Sequence, residues 1–280
     1  MTAKPTALCL LHTPESVDIL VAATARLGTA MGWEKILFVA IEEIPRHTPL
    51  EEFRRPASPL QIRQQQLLQY ALDCADGWDI PCQPEGLVTH NRTYTLQQLL
   101  QKVKPDWVFG VWGSPTTWAV EPKQIKMKAL RESGGFTGVQ VQPGYQVGGE
   151  IGVVVTPDTL DTHIIQCASA LIEPDAEPLT VVFLLDDSVP ESFSGEEYAE
   201  MIIDRLVRKT TRPQQSYRLK VLPDSASKDE LLTTLNPFDT LVMGGPHTTR
   251  FLERVPPDDL TLLAEQLASS LIIVHPPTED

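Results

Sequence analysis

Short apolar runs alternate with amphipathic stretches along all 280 residues, and the second half of the chain repeats the plan of the first. The repeat is plainest in two segments. Lys104-Pro-Asp-Trp-Val-Phe-Gly110-Val-Trp-Gly-Ser-Pro115 aligns with Pro237-Phe-Asp-Thr-Leu-Val-Met-Gly244-Gly-Pro246. Each reads as an aspartate, a short apolar run and a glycine-rich turn. A helix-like stretch follows each, and then a last apolar strand, Gly138-Val-Gln-Val-Gln142 or Leu271-Ile-Ile-Val-His275. A repeated unit of this size is a domain rather than one turn of a solenoid.

The first half predicts strands over residues 6–12, 35–41, 82–88, 107–111 and 139–142. Between them it predicts helices over 17–31, 60–75, 95–103 and 123–132. Ser16 is placed to cap the first helix and Gly32 to end it. Residues 42–58 read as a loop. In the helix over 60–75, Ile62, Leu67, Leu68, Ala71 and Leu72 form the expected dry face and the glutamines the wet one. The second half predicts strands over 151–155, 179–185, 217–222, 240–243 and 271–275. Its helices fall over 160–171, 194–209, 228–235 and 258–268, and Ser194-Gly-Glu-Glu197 has the form of a capping box. Such alternation implies parallel βαβ units with right-handed crossovers. The fold class is therefore α/β, with two tandem domains of five parallel strands. The Gly-rich stretch 143–150 divides a first domain, 1–145, from a second, 150–280.

Composition narrows the function. A net charge of −14 disfavours nucleic acid, whose backbone is bound mainly through Lys and Arg. The same charge disfavours adsorption to an anionic membrane surface. No apolar run approaches the roughly 20 residues of a membrane helix, and the N-terminus lacks the apolar core of a signal peptide, so a cytoplasmic location is expected. Cys9, Cys74, Cys82 and Cys167 form no CxxC pair and read as reduced core residues. The six histidines show no zinc-motif spacing, and neither a GxSxG elbow nor a Walker loop occurs. Glu42-Glu43 and Asp186-Asp187 read as solvated carboxylates at strand ends. The chain is accordingly expected to be no enzyme and to carry no metal.

The order and lengths of the elements, the segments ending at Gly110 and Gly244, and the closing Leu-Ile-Ile-Val274 resemble the universal stress protein family in its tandem form. Asp106 and Asp239 fit that family's fourth strand, which reads as Asp, four apolar residues and Gly. Ile44-Pro-Arg-His-Thr-Pro-Leu50 is similar to the stress-protein-like cytosolic domains appended to some transporters. The resemblance implies a strand order 3-2-1-4-5 in each domain. It also implies a pseudo-dimer in which the two fifth strands meet, leaving open whether two chains pair again.

Nucleotide-binding members of that family carry Gly, two residues, Gly, nine residues, then Gly and Ser or Thr after strand four. Glycines there let backbone N–H groups approach phosphates at a helix N-terminus. In the first domain Gly110 and Gly113 keep the spacing and Ser114 follows. Lys123 and Gln124 replace the later Gly-Ser pair, and His12-Thr-Pro-Glu15 stands where an acidic residue is usual. In the second domain His247 replaces the second glycine and Pro257-Asp258 the last pair. Asp258 at a helix start would repel phosphate.

Two readings follow. In the first, the chain is a non-catalytic regulatory or scaffolding protein without cofactor, with a protein partner such as a membrane transporter. In the alternative, it is a sensor of ATP, ADP or AMP working through Gly110, Gly113, Ser114 and Lys123.

Overall fold

The computed structural model describes residues 6–53, 58–111, 135–142, 149–157, 162–172, 178–185, 189–210, 216–223, 225–245, 267 and 269–277. The chain divides into two compact units, residues 1–143 with 277–280, and residues 144–276. The helices expected over 123–132 and 258–268 lie outside the described residues, apart from Leu267.

The first unit runs β1 (Thr6–Leu11), α1 (Pro14–Met31), β2 (Lys35–Glu43), α2 (Leu50–Phe53), α3 (Pro59–Cys74), β3 (Cys82–Thr89), α4 (Arg92–Val103), β4 (Trp107–Val111) and β5 (Thr137–Val141). Its strands lie in the order β3-β2-β1-β4-β5, every pair parallel. The second unit runs β6 (Ile151–Val155), α5 (Thr162–Leu171), β7 (Leu179–Leu184), α6 (Gly195–Val207), β8 (Tyr217–Leu222), α7 (Lys228–Leu235), β9 (Thr240–Gly244) and β10 (Ser270–His275). Its order, β8-β7-β6-β9-β10, is the same topology, again all parallel.

Burial follows position in the sheet. Strands β4, β6, β7 and β9 are buried at every residue, as parallel strands covered on both faces must be. Strands β3 and β8 mix exposed with half-buried residues, and Pro84 in β3 lacks an N–H at a place where one neighbour suffices. One face of the first sheet packs Leu8, Leu10, Val39, Ile41 and Val108 against Leu96, Leu99 and Leu100 of α4. On the other, Trp33 lies 5.5 Å from Phe109 and 6.4 Å from Trp107, centroid to centroid.

Helix α1 begins three residues before the expected start. Thr13, not Ser16, is its N-cap, with Pro14 at the first helical position and Ser16 completing a capping box. Gly32 ends the helix at φ 63°, as expected. Helix α4 also begins early because Asn91 caps it, its side chain accepting from Tyr94 N at 3.0 Å. Helix α3 reverses part of the expected pattern. Ile62 is 43% exposed, whereas Gln64 is 5% exposed. Gln64 Nε2 donates to the carbonyls of Ala40 (2.8 Å) and Leu87 (2.9 Å), so one amide ties α3 to both β2 and β3. Gly86 leaves room for it, since a Cβ there would stand 2.6 Å from Gln64 Oε1.

The repeated aspartates have an architectural role. Asp106 Oδ2 accepts from Thr6 N at 2.7 Å, and Asp106 N donates to Thr6 O at 2.9 Å. Its carbonyl accepts from Thr137 N at 2.8 Å. Asp239 does the same with Glu150 (2.7 and 2.9 Å) and Ser270 N (2.8 Å). Each aspartate thus joins the starts of the first, fourth and fifth strands of its unit. Gly149, at φ 78°, is required beside it, because a Cβ would overlap the Asp239 carboxylate. Replacing Asp106 or Asp239 with alanine is expected to cost about 1 kcal/mol each, the worth of one exposed bond to a charged acceptor. Urea midpoints would check this, and an unchanged midpoint in both variants would refute the role.

Candidate functional site

In an open parallel sheet the ligand crevice lies beyond the carboxyl ends of the strands, where strand order reverses. In the first unit that place is between β1 and β4, at the opposite end of the strands from Asp106.

The turn after β1 closes on itself. The N–H groups of His12 and Thr13 both donate to Ser16 Oγ at 3.0 Å. Ser16 N donates to Thr13 Oγ1 at 3.2 Å, Ser16 Oγ to Thr13 O at 2.7 Å, and Val17 N to Thr13 O at 3.2 Å. Pro14 has no N–H. The Glu15 carboxylate takes its own backbone N–H and the Thr13 hydroxyl, which hold it below the usual carboxylate range. Every amide from His12 to Val17 therefore has an intramolecular role. A phosphate cradle needs such amides unspent and aimed at the ligand.

His12 is half-buried at this turn. Burial, and then the positive charge of Arg92, push its pKa down to about 3. The imidazole is neutral at physiological pH, with one donor and one acceptor nitrogen. This is the position where the resemblance leads one to expect an acidic residue.

The ends of β2 and β3 complete this rim. Glu43 Oε2 accepts from Arg92 N at 3.2 Å. Ile44 N donates to Thr89 O at 2.8 Å, and His90 Nδ1 lies 3.3 Å from Ile44 O. Thr89 Oγ1 accepts from Asn91 N at 3.0 Å and from Thr95 Oγ1 at 2.7 Å. Glu43, exposed as expected, also meets the first turn of α4, where a carboxylate is favoured by the helix dipole. Arg92, Asn91 and Thr89 were not singled out from the sequence as site residues. An Asn-x-x-Tyr start was the available signal for the cap, but nothing local marks Arg92 as a neighbour of His12.

Gly110 is a strand residue, not part of a turn: it pairs with Gln140 in β5 and has no positive φ. Gly113, Ser114 and Lys123 lie outside the described residues. In the second unit Gly244 is also a strand residue, the last of β9, opposite Val274. Gly245 follows, its N–H donating to Val274 O at 2.9 Å. A Cβ at Gly245 would overlap the buried His275 ring, so packing accounts for this glycine without a ligand. Thr156 is buried at the end of β6. Asp158, His247, Pro257 and Asp258 lie outside the described residues.

Cys9 and Cys167 are fully buried. Burial raises the Cys9 thiol far above its usual range and the Cys167 thiol to about 12, so neither supplies a thiolate nucleophile. Among the described residues no group of three or more His, Cys, Asp and Glu could hold a metal ion. Among them, too, no helix is long and apolar enough to cross a membrane.

No family model and no curated protein matches the sequence. Solved structures do match the fold. A universal stress protein from Archaeoglobus fulgidus aligns with a TM-score of 0.62 at 8% identity, over 98% of this chain and 97% of that one. The cytoplasmic domain of a prokaryotic cation chloride cotransporter aligns at 0.57 and 10% identity, over 99% and 98% of the two chains. A putative universal stress protein from Pseudomonas aeruginosa aligns at 0.54 and 11% identity, over 98% and 94%. The chain has the tandem universal stress protein fold, two Rossmann-like α/β units in sequence.

Proposed function

We propose that this chain is a divergent universal stress protein that works without catalysis, as a cytoplasmic regulatory or scaffolding module for a membrane transporter. The observation that carries this reading is the closed turn after β1. Its amides are spent on Ser16, Thr13 and Glu15, and its ring is a neutral imidazole. A crevice built this way offers few groups to a nucleotide, and the chain acts through protein surfaces instead. The transporter assignment is supported by the fold shared, over nearly full length, with a cotransporter's cytoplasmic domain.

The competing reading is an adenine-nucleotide sensor using Gly110, Gly113, Ser114 and Lys123. Thermal melts with millimolar ATP, ADP, AMP and cyclic dinucleotides separate the two. A ligand at one hundred times its dissociation constant stabilises the fold by about 2.7 kcal/mol, a shift of several degrees. No shift is expected with any of them. A shift that disappears in Lys123→Ala would replace the regulatory reading with the sensor.

A further inference from the structure

The second unit carries an exposed apolar strip where a soluble surface would ordinarily be polar. Phe193, in the loop before α6, is 41% exposed, and Met201 on the outer side of α6 is 45% exposed. Tyr198 bridges them: its ring lies 6.5 Å from Phe193, and it stands one turn before Met201. The inner side of α6, with Ala199, Ile202, Ile203 and Leu206, is buried in the unit, and Tyr198 also sets its ring edge-on to the buried Phe183 at 6.5 Å, which leaves Phe193 and Met201 as the exposed ends of the strip. Scattered apolar side chains need no explanation, but adjoining ones beside a run of like charge do.

The loop before α6 and its first two turns are acidic. Glu191, Glu196, Glu197 and Glu200 are all exposed, and basic residues begin only at Arg205. Glu197 is fixed beside the strip by its capping box, its carboxylate accepting from Ser194 N and Oγ, each at 2.9 Å. Those bonds hold its pKa below the usual range, so it stays charged. The adjacent glutamates have no basic neighbour in the helix until its last turn.

We propose that this face receives a basic amphipathic helix of a partner protein. Apolar side chains at i and i+3 or i+4 on the incoming helix would pack on Phe193, Tyr198 and Met201. Its lysines and arginines would meet the glutamates of the first two turns. Met201 suits the role, since a flexible thioether adapts to differing partners. The cytoplasmic flanks of membrane helices are rich in Lys and Arg, so a transporter partner would carry such segments. The inference rests on the regulatory reading and names the surface and the partner chemistry it uses.

The probe is a labelled helical peptide of Leu and Lys at amphipathic spacing, with its Leu and Glu counterpart as control. Fluorescence anisotropy should show binding of the Lys peptide only, weakening with salt. Amide exchange should show protection in α6. Phe193→Ser with Met201→Ser, and separately Glu196→Lys with Glu200→Lys, should each weaken binding about tenfold or more. Glu34→Lys with Asp76→Lys, the same charge change on the first unit, should leave it intact. Melts of each variant confirm the fold. Equal binding by all variants, or protection elsewhere in the chain, overturns the proposal and leaves the regulatory reading to the nucleotide melts. A dimer in sedimentation without peptide, dispersed by Met201→Ser, would assign the face to a second copy and overturn it too.

Discussion

Replacing Gln64 with alanine is expected to lower the stability of the first unit by about 2–3 kcal/mol, because one buried and one half-buried carbonyl lose a donor together. The Ala40 and Leu87 oxygens lie in neighbouring strands, and the Gln64 amide reaches both. Gly86 has no side chain to fill the space, and water entering it would have to replace both bonds. Gln64→Glu sharpens the expectation. Above the ordinary carboxyl pKa of about 4.3 it would bury a negative charge against two carbonyl oxygens. Its folded pKa would therefore rise above its unfolded one. Stability would be retained at low pH and lost as pH climbs through that window, so the deficit relative to the parent should grow from pH 4.5 to pH 8. All five tryptophans lie in the first half, so their emission during urea unfolding reports this unit separately. A midpoint within experimental error of the parent for Gln64→Ala would show that the bonds are dispensable.

The same residue shows what the sequence does and does not disclose. Residues 64, 67, 68 and 71 share one face of a helix, and three of them are apolar. Spacing alone places Gln64 on the buried stripe and Ile62 off it. Residue type suggested the opposite, because glutamine is rarely buried without a specific partner. That partner is created by tertiary structure, from two carbonyls far along the chain. The α/β class and the parallel pairing were legible, by contrast, because they follow from alternation and short connections, whereas the order 3-2-1-4-5 was implied by the family resemblance alone. The edge position of β3 agrees with its pattern, since Cys82–Thr89 mixes charge, proline and glycine.

The repeated Asp and Gly were legible as a repeat but not in their meaning. Asp106 and Asp239 act at the amino ends of the strands, far from any crevice at the carboxyl ends. Gly110 lies within β4, Gly244 finishes β9, and Gly245 accommodates His275. A motif shared with nucleotide-binding proteins can persist for the sheet it builds. At the turn after β1 the sequence misled in detail. Ser16 has the right chemistry for an N-cap, yet Thr13 with Pro14 starts the helix earlier, and Ser16 turns back to satisfy His12 and Thr13.

His12 then gives the first unit an acid sensitivity of its own. Its ring titrates near 3 when folded, first because burial disfavours the cation and then because Arg92 repels it. The unfolded ring takes up its proton near 6.5. A folded pKa below the unfolded one means that this stabilisation is complete above about pH 6.5 and falls as pH drops. Between pH 7.5 and pH 5 the loss should be about 2 kcal/mol from this residue. Tryptophan-detected urea unfolding of the parent and His12→Gln across that range isolates it, since the variant keeps polar atoms but has no proton to gain. Arg92→Gln should flatten the slope only in part, because burial is the larger cause. Parallel pH profiles for parent and His12→Gln would show that the ring is solvated and freely protonated. It would then stand as a cation at the mouth of β1 under mildly acidic conditions, which would favour an anionic ligand there and weaken the regulatory reading.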